Sequence, residues 1–278
     1  MKKQPPETGT PRQGTPEKIR QFWNSARNVL LAAIPILLFF LFWQLASRWI
    51  PRGVLSSPLR IFNALIKAFT DPKKEILLQT LVSFQRIGLG FALAGTVGIC
   101  FGFLLGSFFK PLERLFIPFF HVCEKLNPFA IIPVFMLLFG IGLQQKVAIV
   151  FWACVWPILF NTQEAAKSVD PRLLRAARAM GAGRIKLFSA VILPFTLPSI
   201  FTGFRLAIRV AFFMIVMSEL LGASNGLGWY YMRQVSMYRL DLMYGSILYI
   251  TVMTIIATWL VGLLEKRALA WRQDNFRT

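Results

Sequence analysis

The chain carries six apolar runs, each long enough or nearly long enough to cross a lipid bilayer. They lie at about 28–46, 79–108, 115–140, 146–160, 194–221 and 242–264. A hydrocarbon core about 30 Å thick requires about 20 apolar helical residues. Backbone groups in lipid must be paired internally, and the runs lack the ten-residue alternation of membrane strands. The sequence therefore predicts an all-α membrane protein with about six transmembrane helices.

Composition agrees with a lipid-embedded chain and excludes several soluble functions. The 278 residues are 56% hydrophobic and 15% charged, with a net charge of +19, and the basic residues lie mainly between the apolar runs. This placement indicates charge that flanks a membrane and no nucleic-acid partner. Cys100, Cys123 and Cys154 all fall inside apolar runs, and His121 is the single histidine. No metal site, disulfide framework or nucleotide-binding loop is expected.

The ends of the chain and its basic residues predict an orientation. Residues 1–28 are polar and rich in proline and glycine, which predicts a disordered cytoplasmic tail. The transmembrane domain is expected over 29–272, with its first run as an uncleaved span, and a short tail over 273–278. If the amino terminus is inside, 18 basic residues flank inner ends and 9 flank outer ends. This excess places both termini in the cytoplasm.

Two further segments depart from simple spans. The 48–79 loop carries six basic residues and an amphipathic pattern that predicts a helix on the outer surface, formed by Leu59, Phe62, Leu65, Ile66 and Phe69. Asn127-Pro128 and Pro133 interrupt the third run and predict a broken helix. Such a break is tolerated in a membrane only where it faces protein or a water-filled path.

Residues 161–193 are too polar to span and too patterned for a plain loop. Asp170 is a suitable N-cap followed by Pro171 at the first helical position, and Gly181 suits a left-handed C-terminus, so a helix is expected at about 171–180. Its apolar positions recur at helical spacing at Leu173, Ala176, Ala177 and Met180. A second helix is expected from Leu187 to Leu193-Pro194. This cytoplasmic helix–turn–helix is typical of a segment that docks into a groove on a soluble partner.

The same segment resembles a known family. The pattern Ala176-Ala177-x3-Gly181-x9-Val191-x-Leu193-Pro194 is similar to the EAA loop of binding-protein-dependent ABC importer permeases. The strings SVDPRLLRAARAMGAGRIKLFSAVILP, LPSIFTGFRLAI, SELLGASNGLGW and NPFAIIPVFMLLFGIG resemble the aliphatic sulfonate, taurine and nitrate branch, and the resemblance covers about residues 29–272. The tripeptide Glu164-Ala165-Ala166 is out of register. Arg175 stands where the motif has glutamate, so any contact through that acid is absent from this chain.

The resemblance implies a transport subunit and not an enzyme. The implied partners are a cytoplasmic ABC ATPase dimer that carries ATP and Mg, a second permease subunit in a homodimer, and an extracytoplasmic solute-binding protein. This chain would hold no cofactor and would lie in the cell inner membrane. The residues implied in the ATPase-coupling loop are Asp170, Leu173, Ala176, Ala177, Met180, Gly181, Ala182, Leu193 and Pro194.

Candidates for the translocation path or its gate are the polar residues within or beside the spans, namely Glu124, Asn127, Arg205, Arg209 and Glu219. Arg205 lies about 16 Å along a helix from Pro194, which predicts a position near mid-membrane if the span starts there. It either lines the path and attracts an anion or pairs with carbonyls or an acid on another helix. Glu219 lies about 21 Å further along and cannot reach Arg205 on a straight helix, so each needs another partner.

Three other features of the sequence each allow a functional or a purely structural interpretation. Glu124 and Lys125 are consecutive and are not expected to face each other, while His121 can reach either, which fits an interfacial cluster or a gate. Gly222-Ala223-Ser224-Asn225-Gly226 is a gate or binding-protein contact, or a plain turn. The small residues that recur every four positions in the second span predict close helix packing, notably at Gly98, Gly102 and Gly106.

The solute is expected to be a sulfonate, taurine, nitrate or similar anion. A vitamin precursor such as a pyrimidine is the alternative within the family. A stand-alone secondary transporter is the alternative from a different class, but it would show paired broken helices or an array of intramembrane acids. A membrane enzyme would need convergent catalytic groups, which the sequence lacks.

Overall fold

The structure is a computed structural model that describes residues 34–35, 37–50, 54–70, 75–108 and 110–270, and every regular element in these ranges is helical. The predicted all-α class is therefore confirmed. The predicted tails at 1–28 and 273–278 lie outside the described residues, as does the start of the predicted first span. The part of that span within the described ranges contains a helix over 37–49, α1.

Ten further helices follow in chain order within the described ranges. They are α2 (Pro58–Thr70), α3 (Glu75–Phe103), α4 (Lys110–Lys125), α5 (Pro128–Phe139), α6 (Leu143–Lys167), α7 (Pro171–Ala179), α8 (Arg184–Leu187), α9 (Leu193–Leu220), α10 (Leu227–Ser236) and α11 (Leu240–Ala268). Two π-helical turns extend this set: Leu104–Phe108 continues α3, and Phe188–Ile192 joins α8 to α9.

Four continuous helices in the part of the chain that the structure describes are long and apolar enough to cross a membrane: Glu75–Ser107, Leu143–Lys167, Arg184–Leu220 and Leu240–Ala268. The pair α4 and α5 together forms a fifth candidate, bent by 96°. The bend lies at the predicted Asn127-Pro128 break. Contrary to the sequence prediction, Pro133 does not interrupt α5. A proline inside a helix removes one backbone hydrogen bond. The neighbouring Ile132 is buried, and its packing in the core holds the helix together.

Helix α6 lies at the centre of the bundle, with α3 on one side and α9 on the other. The small residues of α3 face α6 at close range. A Cβ added at Gly102 would lie 2.6 Å from Thr162 Cβ, and one at Gly98 would lie 3.0 Å from Ile158 Cγ2. One at Gly106 would lie 2.7 Å from a backbone oxygen of α6. Only glycine permits this backbone approach.

The chain divides into two compact units between Arg60 and Ile61. In the first unit, Arg60 Nε donates a hydrogen bond to Ser57 Oγ at 3.3 Å. The predicted helix in the 48–79 loop is present as α2. Within the second unit its Ile61 is buried and Leu65 lies against Gly245 of α11, while Phe62 remains exposed.

Candidate functional site

The segment from Pro171 to Leu187 forms a helical hairpin with defined ends. Asp170 caps α7, because its Oδ1 accepts a hydrogen bond from the backbone N–H of Arg172 at 2.7 Å. At the other end Gly181 has φ +80° and donates to Arg178 O at 2.9 Å, while Ala182 N donates to Ala177 O at 3.0 Å. These two bonds form a Schellman motif. The helix predicted at about 171–180 is therefore present, with the predicted cap and terminating glycine.

The two sides of this hairpin differ in exposure. Ala177 is buried and Leu174 packs on a core cluster of α3, α6 and α9, so Ala177 faces the body of the protein. Leu173, Met180 and Ile185 are exposed, Met180 to 81%. The predicted apolar face is therefore divided into a buried part, Ala177, and an exposed part, Leu173, Ala176 and Met180. Ile185 of α8 is also exposed and extends the apolar surface. Ile185 carried no signal in the sequence because it lies before the predicted second helix.

The second helix of the hairpin does not end at Leu193-Pro194, contrary to the sequence prediction. The chain is helical from Arg184 to Leu220 without a break. Leu193 N donates to Phe188 O, five residues back, so the turn before Pro194 is a π turn. The wider turn accommodates a proline that lacks a donor and would crowd a regular helical carbonyl. Leu193 and Pro194 therefore lie within one rod that joins the hairpin to a span.

The bend between α4 and α5 contains the candidates Glu124 and Asn127. Asn127 is the N-cap of α5, because its Oδ1 accepts from Phe129 N at 3.0 Å. His121 stacks on Phe160 with ring centroids 4.4 Å apart, and its Nδ1 lies 3.5 Å from Glu124 Oε2. Lys125 Nζ lies 3.7 Å from the same carboxylate oxygen, so the expectation that Glu124 and Lys125 do not face each other is wrong. The flexible lysine stem reaches back along the helix.

Glu219 lies 1% exposed at the penultimate position of α9 and is fully surrounded by donors. Its carboxylate accepts from Ser83 Oγ at 2.8 and 2.9 Å and from Gly228 N at 2.9 Å. Arg86 Nη1 forms a buried ion pair with it at 2.7 Å. The sequence predicts that Glu219 needs a partner other than Arg205, and Arg86 of α3 is that partner.

The glycine-rich turn after α9 wraps around this carboxylate. Arg86 also donates to the backbone and side-chain oxygens of Asn225, and Gln79 Oε1 accepts from Gly226 N at 2.6 Å. Gly226 has φ +110°, and a Cβ there would overlap the Glu219 carboxyl group. We call Gln79, Ser83, Arg86, Glu219 and Asn225 the Glu219 cluster. It ties the turn and the start of α10 to α3.

Sequence reasoning assigned no role to three members of this cluster. Gln79, Ser83 and Arg86 occupy positions i, i+4 and i+7 of α3, which places three polar side chains on one face of an otherwise apolar span. That polar stripe, with an arginine inside a span, is the signal that could have found them.

Lys146 is a second buried cation near this region. It stands at the start of the fourth predicted run, and in the structure it lies in the first turn of α6 and is 2% exposed. Its Nζ donates to Gly142 O at 3.3 Å, and no carboxylate of the described residues lies within ion-pair distance. The neighbouring Gln145 donates to Ser218 Oγ at 3.0 Å, so α6 contacts α9 directly beside Glu219.

Arg205 and Arg209 line a groove between α9 and α11, the α9–α11 groove, with a volume of about 570 Å³. Its lining includes Arg205, Arg209, Thr254, Thr258, Trp259 and Lys266. Arg205 forms an ion pair with Glu265, near the end of α11. Arg205 therefore pairs with an acid on another helix, which is one of the two alternatives that the sequence left open, and its depth in the membrane stays a prediction.

Comparison with known proteins agrees with the helical architecture. The family model described as binding-protein-dependent transport system inner membrane component matches residues 98–269, more than half of the chain. The chain belongs to this family. It is a permease subunit of an ABC importer, a transport component located in the membrane.

Three relatives of the permease are named for their solutes. The chain is 31% identical to a bicarbonate transport system permease protein of Synechocystis, over 73% of this chain and 75% of that protein. It is 28% identical to a nitrate import permease protein of Synechococcus elongatus (72% and 74% covered). It is also 28% identical to a formylaminopyrimidine transport permease protein of Halalkalibacterium halodurans (86% and 94% covered).

A solved structure shares the fold of the permease. The MetNI methionine ABC transporter, solved in inward facing conformations, contains a chain that matches with a TM-score of 0.52 at 20% sequence identity. The match covers 71% of this chain and 94% of that chain.

Proposed function

We propose that the permease imports a small oxyanion, and that separate ATPase subunits drive it by engaging the hairpin from Pro171 to Leu187. The observation that carries the coupling proposal is the hairpin itself. It is capped at Asp170, closed by the Schellman motif at Gly181, and joined without a break to the rod from Arg184 to Leu220. A force applied to the hairpin therefore acts directly on a span.

The docking surface is apolar at its centre and basic around it. Leu173, Met180 and Ile185 are exposed together with Arg172 and Arg175. Exposed apolar side chains ringed by charges are typical of a surface that a partner covers. The partner proposed is a dimer of ATPase subunits that binds ATP and Mg, with a groove whose rim is acidic. Arg175 takes the place of the motif glutamate, which favours an acid at the facing position of the ATPase.

The surrounding assembly follows from the family and from charge. We place both termini and the hairpin on the cytoplasmic side, because basic residues concentrate at those ends. A second copy of the permease would complete the path, and an extracytoplasmic binding protein would deliver the solute near the Glu219 cluster. The bend at Asn127, with Glu124 beside it, is proposed to face the path, because a broken helix with polar groups is unstable against lipid.

The solute class is supported by relatives and not by the arginines of α9. The relatives named for bicarbonate and nitrate carry small oxyanions, as would sulfonates and taurine. Arg205 is occupied by Glu265 and does not add to this support. The relative named for formylaminopyrimidine keeps a pyrimidine precursor as the second candidate.

ATP hydrolysis by the reconstituted complex tests the proposal. The permease and its ATPase are placed in proteoliposomes with binding proteins loaded with nitrate, bicarbonate, taurine, an alkanesulfonate or formylaminopyrimidine. Stimulation by one loaded protein, with uptake of the same solute, identifies the class. Stimulation only by the pyrimidine would refute the oxyanion assignment.

The hairpin is tested in the same complex by a matched pair of variants. Met180→Glu places an acid at the centre of the proposed docking surface and should release the ATPase on size-exclusion chromatography. Met237→Glu introduces the same change at an exposed site beyond the opposite end of α9 and should leave the complex intact. Retention of the ATPase by Met180→Glu would contradict the docking assignment.

A further inference from the structure

The α9–α11 groove contains more positively charged side chains than nearby carboxylates can neutralise. Its lining includes three cations, Arg205, Arg209 and Lys266. Glu265 pairs with Arg205, while Arg209 and Lys266 have no ion-pair partner among the described residues. Both side chains are exposed. The groove therefore offers two uncompensated cations to a ligand.

The position of Arg209 favours a bound anion. It lies one helical turn beyond Arg205, inside the apolar part of the rod. A charged arginine on a membrane helix is costly unless it reaches a phosphate, water or an acid. An anion between Arg209 and Lys266 would offset this cost for both side chains.

The shape of the groove is amphipathic along its length. Lys266 and the Arg205–Glu265 pair lie toward the end of α11, and Arg209 lies deeper, beside Thr254 and Ile255. Ile255 and Trp259 expose apolar surface on the side away from that end, Trp259 to 61%. Tryptophan is enriched at the boundary between headgroups and acyl chains. Helix α11 is also the most peripheral of the continuous candidate spans, with only 11% of its apolar window buried, so the groove opens on the outside of the described bundle.

We infer that the α9–α11 groove binds an anionic phospholipid, with its phosphate between Arg209 and Lys266 and an acyl chain along Ile255 and Trp259. Glu265 holds Arg205 beside the phosphate and limits the net charge of the site. The ligand chemistry required is a singly charged oxyanion attached to an apolar chain. A transported oxyanion would satisfy the cations but not the apolar part. This site is separate from the docking hairpin and from the Glu219 cluster.

Lipid retention by the purified complex tests this inference. The complex is incubated with mixed micelles of phosphatidylglycerol and phosphatidylcholine, and bound lipid is counted by native mass spectrometry. Arg209→Gln and Lys266→Gln should each lower phosphatidylglycerol retention about fivefold, the factor that corresponds to about 1 kcal/mol per basic side chain near a lipid surface. Glu265→Gln, which removes the acid of the groove, should raise retention.

Arg267→Gln is the matched control, because Arg267 is exposed on the same end of α11 and does not line the groove. It should leave retention unchanged. An effect equal to that of Lys266→Gln would overturn the site in favour of general surface charge. Displacement of the lipid by millimolar nitrate, sulfate or taurine would overturn it in favour of a soluble anion.

The apolar half of the groove is tested by fluorescence. Phosphatidylglycerol with brominated acyl chains should quench Trp259, so the quenched fraction should fall in a Trp259→Phe variant. Unchanged quenching in that variant would refute the placement of the chain and would fit a groove covered by a second permease copy. These readouts do not depend on transport, so a failure to bind lipid is distinct from a failure of the proposed import function.

Discussion

Arg86→Met should destabilise the permease far more than the loss of a solvent-exposed charge. The side chains of Glu219 and Arg86 are 0% and 8% exposed, so the substitution leaves a buried carboxylate without its cation. Breaking a buried ion pair from one side typically costs about 3–5 kcal/mol. That range corresponds to roughly a hundredfold to a few thousandfold in the ratio of folded to unfolded protein.

The expected cost can be expressed as a thermal shift. For a chain of this size 1 kcal/mol lowers the melting temperature by about 2–4 °C, so Arg86→Met should melt about 6–20 °C below the wild type. Tryptophan fluorescence of the detergent-solubilised protein on heating measures this shift. Arg233→Met is the control, because its ion pair with Glu75 is about a third exposed on each side and should contribute under about 1 kcal/mol.

The double variant Arg86→Met/Glu219→Gln separates charge from packing. Removing both charges leaves no uncompensated ion, so the double variant should recover at least half of the loss seen in Arg86→Met. The assignment of the cost to an unpaired buried charge would be refuted if Arg86→Met melted with the wild type, or if the double variant were no more stable than the single one.

Three further outcomes follow from the packing and the hairpin. Gly102→Ala should cost about 1–3 kcal/mol because its Cβ meets Thr162 at 2.6 Å, whereas Gly88→Ala, with no atom within 4 Å, should be neutral or slightly stabilising in thermal melts. Asp170→Ala should loosen the hairpin by about 0.5–2 kcal/mol, visible as faster amide hydrogen exchange confined to α7. Gly181→Val, at φ +80°, should reduce solute-stimulated ATPase activity without loss of membrane insertion, and normal uptake would contradict the coupling role.

Local signals were sufficient for the hairpin and the bend. The cap at Asp170, the left-handed residue at Gly181 and the break at Asn127 each depend on residues within a few positions, and the structure contains all three. The spacing of small residues in α3 likewise predicted a packed face, because a helix fixes the side on which every fourth residue lies.

Other features depend on contacts between distant segments. The pairing of Glu219 with Arg86 joins residues 133 positions apart, and no periodicity specifies such a partner. The sequence pattern indicated a helix boundary at Pro194, since proline ends helices more often than it enters a π turn. That single error displaced the start of the rod from Arg184 to Pro194. The burial of Lys146 in the first turn of α6 likewise depends on its neighbours, which no local sequence pattern specifies.

The π turn at Phe188–Ile192 makes the rod from Arg184 to Leu220 about 55 Å long at 1.5 Å per residue. The hairpin lies at one end of the rod, directly before Arg184. Glu219, which forms the buried ion pair with Arg86, is the penultimate residue at the other end. A rod of this length acts as a lever, since a tilt of about 10° about one end displaces the other by about 10 Å. Small rotations imposed at the hairpin therefore reach the far side of the bundle as movements the size of a solute.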